Sequence, residues 1–183
     1  MSILTVIGTA GGVGVSTLAA LAFSAARQHP LGAPTLVAEP ARGLAARVGD
    51  DQVAHVRPDA AIWDIGAAGP AAATELSARE DTLLALAAPR TPLGYADVTA
   101  LVEAIETAQG PAALRRVAVV LSDIYQHGRR LRRAELPVAA MVDIPFDSAL
   151  AVSGPLPGPD RLRRHTKIAV RRWIDLAAGA LAH

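Results

Sequence analysis

The residues best placed to do chemistry are Gly8-Thr9-Ala10-Gly11-Gly12-Val13-Gly14-Val15-Ser16-Thr17. They follow the β-branched run 2–7 and open the Ala/Leu-rich run 18–26. Strand, glycine loop and helix together make the context of a phosphate cradle. Glycines let consecutive backbone N–H groups turn inward around an anion, with a helix N-terminus behind them. The expected lining is Gly11, Gly12, Val13, Gly14, Val15, Ser16 and Thr17. A working loop also carries a lysine just before its Ser/Thr pair, and here that place is Val15. The cradle is present in outline, but its charge is missing. Other chemistries lack their residues. The chain has no cysteine, which excludes disulfides, thiolate metal sites and Cys nucleophiles. His29, His55, His127, His165 and His183 are scattered without ligand spacing, and no Gly-x-Ser-x-Gly occurs.

The elements that must hold this loop read as alternating strands and helices. Strands are expected at 2–8, 35–38, 60–66, 82–87, 116–121 and 136–142. Helices are expected at 15–28, 41–51, 70–79, 92–107 and 126–133, with a turn of helix over 147–153 and a long terminal helix over 159–181. The strands are continuous apolar runs rather than alternating ones, the mark of a parallel sheet covered on both faces. The fold class is therefore three-layer α/β with a mainly parallel twisted sheet of about six or seven strands. At 183 residues, with no repeat or linker, the chain reads as one domain. Half its residues are apolar, yet Phe, Trp and Tyr together make up only 3%. The core must therefore be Ala, Val, Leu and Ile. No apolar run approaches the ~20 residues of a membrane span. No basic region precedes the first apolar run, so a cytoplasmic protein is expected. Formal net charge is only +1, so polyanion binding would have to come from local clusters.

The loop resembles the deviant Walker A loop of the ParA/MinD family of P-loop ATPases, which reads Lys-Gly-Gly-x-Gly-Lys-Thr/Ser-Thr. Gly11, Gly12, Gly14, Ser16 and Thr17 match, while Ala10 and Val15 replace the two lysines. Further resemblances follow in the family's order. Ala60 to Gly66 is similar to a Walker B strand, and residues 83–105 to the next strand and helix. Residues 117–124 are similar to the purine-side strand, and Ile144-Pro145-Phe146-Asp147 onward to the segment closing over the base. The resemblance covers nearly the whole chain, although the region between the second strand and Asp59 looks trimmed.

The resemblance implies ATP or ADP with Mg²⁺ as ligand. Ser16 and Asp64 would meet the metal, Asp123 would accept from a purine amino group, and Pro145 would lie beside the base. Each has a plainer alternative: a helix N-cap for Ser16, a strand-end cap for Asp64, a solvated loop acid for Asp123. The family's Asp-x-Asp after the second strand is here Glu39-Pro40-Ala41, so the acid that orients the attacking water is missing. Charge-assisted hydrogen bonds contribute roughly 1.5–3 kcal/mol each. Losing two lysines therefore removes ~3–6 kcal/mol, or on the order of 10²–10⁴ in affinity. The expectation is a degenerate member, a pseudo-ATPase binding nucleotide weakly if at all. It would act as a scaffold or positioning component in DNA partition, septum placement or pilus/secretion assembly. The alternatives are an active ATPase with an unconventional loop and an interaction module with a vestigial pocket.

Two basic clusters bear on partners. One is Arg129, Arg130, Arg132 and Arg133; the other runs through Arg161, Arg163, Arg164, Lys167, Arg171 and Arg172 on the terminal helix. Leu162, Ala169, Val170, Trp173, Ala177 and Leu181 recur there at helical spacing, so one face packs and the other is cationic. The cationic face is either solvated or a footprint on duplex DNA, the surface that ParA relatives use. Membrane adsorption is not expected, because the chain trails into small residues. In the family, ATP is sandwiched between two subunits. With Ala10 in place of the bridging lysine, an ATP-independent homodimer through the apolar loop surface is expected, or a heterodimer with an active homologue.

Overall fold

The computed structural model describes residues 1–28, 30, 32–38, 41–49, 55–124 and 134–182, with 41 and 42 described for their backbone only. Six parallel strands form one sheet: β1 (Ser2–Gly8), β2 (Ala33–Ala38), β3 (Val56–Ala67), β4 (Thr82–Pro89), β5 (Val117–Ser122) and β6 (Ala140–Ile144), in the order β2-β3-β1-β4-β5-β6. The helices between them are α1 (Val15–Ala26), α2 (Ala41–Val48), α3 (Pro70–Ser77), α4 (Pro92–Gln109), the single turn α5 (Ser148–Ala151) and α6 (Arg164–Leu181). This is the expected three-layer α/β architecture.

Side-chain alternation along the strands separates two cores. Leu4, Val6, Ile62, Ala85 and Val120 pack against α1, α2 and α6. Ile7, Leu84, Leu86, Val119 and Leu121 pack against α3 and α4. With both faces covered, the central strands have no polar side to show, which is why they read as unbroken apolar runs. The small residues of α1 (Ala19, Ala20 and Ala22) are fully enclosed and let the helix lie close on the sheet. The terminal helix docks as its periodicity predicts: Leu162, Ala169, Val170, Trp173, Ala177 and Leu181 are all buried. The Trp173 indole N–H donates to the Leu18 carbonyl at 2.9 Å, tying α6 to the helix behind the loop.

Three boundaries differ from expectation by four residues or more. The third strand is longer, beginning at Val56. The last begins at Ala140 rather than 136, because Pro137 has no N–H for a ladder and the Ala139 N–H donates at 2.8 Å to the Val117 carbonyl at the start of β5. The terminal helix begins at Arg164, after a separate 3₁₀ turn over Pro159–Arg161. The expected helix over 126–133, with Arg129, Arg130, Arg132 and Arg133, lies outside the described residues, as do Glu39 and Pro40.

Candidate functional site

The glycine loop leaves the carboxyl end of β1 and enters α1, as the sequence predicts. Its root is tied on both sides: the Thr9 N–H donates to the Ala87 carbonyl on β4, and the Gly8 carbonyl accepts from the Ala68 N–H beyond β3, both at 2.9 Å. Gly12 (φ 77°) and Gly14 (φ 94°) lie in the left-handed region, which a side chain would strain. Gly14 occupies the N-cap of α1 with no side chain capping it, so the first-turn N–H groups have no internal acceptor there. Ser16 is therefore in the first turn and does not act as the N-cap.

The valines turn inward. Val13 is 1% and Val15 6% exposed. A Cβ built on Gly8 would stand 2.7 Å from a Val13 methyl and 2.8 Å from a Val15 methyl. Gly8 is thus required for close approach, and both isopropyl groups fill the floor under the loop rather than its mouth. The loop's outer surface is Ala10, Gly11 and Gly12. Of the apolar loop surface expected around Gly11 to Val15, Gly11 and Gly12 are exposed and the two valines are not.

Two clefts flank the loop. One, of about 280 Å³, lies at the carboxyl ends of β5 and β6. Gly12, Val13, Gly14, Thr17, Asp123, Pro145 and Asp147 line it, with Leu18, Leu21, Ile144 and Leu150 as an apolar wall. The other, of about 360 Å³, is lined by Gly11, Gly12, Gly14, Val15, Ser16, Thr17, Gly43, Arg47, Gly66 and Ser153. All the cofactor residues named from the sequence therefore border one cleft or the other. Arg47 borders both, a residue sequence reading passed over. Its Nη1 donates to the Val152 carbonyl at 2.6 Å, and its own carbonyl accepts from the Leu156 N–H at 3.0 Å. Burial lowers the pKa of its guanidinium below the ordinary value.

The acids have different tasks. Asp123 is engaged by the Arg90 guanidinium, and this hydrogen bond is the chief reason the arginine's pKa is raised. Its side chain is 9% exposed, so it is not a solvated acid, and one of its two oxygens is taken up by Arg90. Asp147 is 4% exposed and caps α5, accepting from the Ala149 N–H at 3.0 Å and from the Arg163 N–H at 2.8 Å. Burial disfavours its charge, but these donors outweigh burial and hold its pKa below the ordinary value.

Asp64 sits where the β1–β3 register shifts, beside Gly66 (φ 74°). Its Oδ1 accepts from the Gly66 N–H at 3.2 Å, the strand-end cap anticipated as its plainer role. Its Oδ2 is buried without a hydrogen-bond partner, as is Oγ1 of Thr9. Alternation with Ile62 puts Asp64 on the α1 side of the sheet; it lines neither cleft, whereas Ser16 lines the second. A carboxylate oxygen with free lone pairs and a hydroxyl are the donor types that suit a Mg²⁺ taking its remaining ligands from water and phosphate. Among the described residues no group of three or more His, Cys, Asp or Glu could hold a metal by itself.

Of the basic residues, Arg163, Arg164, Lys167, Arg171 and Arg172 are exposed along α6, with Arg171 paired to Asp175 at 2.9 Å. No helix is long and apolar enough to cross a membrane among the described residues. Set beside known proteins, the sequence matches no family model and no curated protein.

Proposed function

We propose that the chain is a degenerate ParA/MinD-type protein that binds a nucleotide weakly and works by binding, as a scaffold or positioning component, without turnover. The processes in view are DNA partition, septum placement and pilus or secretion assembly. The observation that carries the reading is the inward Val15, whose methyls lie in the floor against Gly8. Phosphoryl transfer is mostly positioning and electrostatic stabilisation of crowded anionic oxygens. The loop presents backbone N–H groups and the Ser16 and Thr17 hydroxyls, but no ammonium. Asp64 and Ser16 would hold Mg²⁺, which supplies charge neutralisation when bound with nucleotide. Ala41 has no carboxylate to orient water. Such a site retains ligand and does not accelerate its cleavage.

Phosphate release measured with ATP and Mg²⁺, with and without duplex DNA, tests this. No turnover above background is expected; turnover abolished by Asp64→Ala would establish the active-ATPase reading instead. Ala10→Lys, at an exposed position of the loop, should raise ATP affinity about 10-fold or more by restoring one charge-assisted contact. Failure of both wild type and this variant to bind would leave the interaction module.

Two partner readings accompany it. The exposed cationic face of α6 favours non-specific contact with duplex DNA. The exposed loop surface of Ala10, Gly11 and Gly12 favours a two-fold contact between copies. Association independent of ATP, as a homodimer or with an active homologue, is the expected light-scattering result. A monomer that dimerises only on adding ATP would refute it.

A further inference from the structure

We propose that Arg47 is the cation of this cradle: its guanidinium, held by the Val152 carbonyl, binds the phosphate chain of a nucleoside diphosphate or triphosphate lying against Gly12 and Gly14. The inference rests on the reading that the loop holds a nucleotide and adds the residue that supplies its charge.

Four observations converge. Arg47 borders both clefts, and Gly12, Gly14 and Thr17 are the other residues the two clefts share, so the side chain stands over the loop between them. The guanidinium is held there by its bond to the Val152 carbonyl, and the backbone of the same residue by the Leu156 N–H on its carbonyl. Its α2 backbone can approach the loop because Gly43 faces Ser16, where a Cβ would stand 3.0 Å from the hydroxyl oxygen. Finally, among the described residues the ion pairs engage Arg57, Arg79, Arg90 and Arg171, whereas Arg47 donates to a neutral carbonyl. Partial burial that disfavours the charged form is a condition an anionic ligand relieves.

A planar guanidinium with donors to spare after one carbonyl bond can still meet phosphate oxygens through its remaining N–H groups. The loop's missing lysine is thus replaced from another element rather than from a neighbouring position. The ligand is a nucleotide rather than free pyrophosphate because the cleft beside the cradle continues into the wall of Leu18, Leu21, Ile144, Pro145 and Leu150. That wall offers apolar area to a base and nothing to an inorganic anion.

The test is calorimetric titration of the full chain with ADP and, separately, with inorganic pyrophosphate, at several salt concentrations. The variants are Arg47→Met, which keeps the stem, and Arg47→Lys, which keeps the charge and can still donate to the Val152 carbonyl. Wild type should bind ADP more tightly than pyrophosphate. Arg47→Met should weaken ADP about 10- to 100-fold and flatten the salt dependence, with Arg47→Lys between the two. The flattened salt dependence is what loss of the Val152 contact alone would not produce. Equal ADP affinity and equal salt dependence in wild type and Arg47→Met would overturn the role of Arg47 while leaving the nucleotide reading standing. Pyrophosphate binding as tight as ADP would overturn the nucleoside. Absence of binding of either ligand to wild type at millimolar concentration would remove the nucleotide reading itself.

Discussion

Replacing Asp147 by alanine should destabilise the protein through the loss of two backbone contacts at once. This carboxylate joins two segments: it caps α5 through the Ala149 N–H and holds the entry to α6 through the Arg163 N–H. Each is a charge-assisted bond of ~1.5–3 kcal/mol. Arg163 is exposed, so water replaces part of its bond, and the combined cost is ~2–4 kcal/mol. For a chain of this size that corresponds to roughly 4–16 °C in melting temperature. Urea unfolding followed by tryptophan fluorescence would read it, because Trp173 is fully buried on α6. The pH dependence follows from the direction of the shift. The folded carboxyl titrates below its unfolded value near 3.8, so its stabilisation is complete above that value and is lost as pH falls through the lower folded one. The gap between wild type and Asp147→Ala should therefore be flat from about pH 7 to about pH 5 and close below about pH 4. Asp147→Asn keeps one acceptor and should recover about half the loss without the pH dependence. A loss under ~1 kcal/mol, or a gap that widens in acid, would refute the account of Asp147.

Gly94→Ala should also be damaging, although alanine is the better helix former. A Cβ there would stand 2.2 Å from the Pro89 carbonyl oxygen at the end of β4. The ~1 kcal/mol gained in propensity is outweighed by a clash costing ~1–3 kcal/mol or more. A variant as stable as wild type in urea would show that α4 shifts freely. For the terminal helix, charge reversal at Arg163, Arg164 and Arg171 should lower duplex DNA affinity and flatten its salt slope, near −0.9 per phosphate contacted. Wild type without measurable binding at low salt would show that the arginine face is merely solvated.

The amphipathic face of the terminal helix, the covered parallel strands and the strand–glycine loop–helix unit were all legible in the sequence. Each depends on local geometry: helical periodicity for Leu162 to Leu181, unbroken apolar runs for β1, β4 and β5, and positive-φ glycines at 12 and 14. What the loop can bind was not legible in this way. Val15 occupies the lysine position of a phosphate loop, but whether its side chain fills the mouth or the floor depends on Gly8, which leaves room below for its methyls. Asp123 reads as an acid at a strand's end, and only the pairing of β4 with β5 brings Arg90 onto it. Arg47 carries no signal in its own segment. It reaches the glycine loop because α2 packs beside α1 and the segment after α5 returns to hold it through Val152 and Leu156. Residues far apart in sequence meet only where sheet order and helix packing put them. In this chain that long-range packing decides which side chains face the clefts, and so where the charge lies.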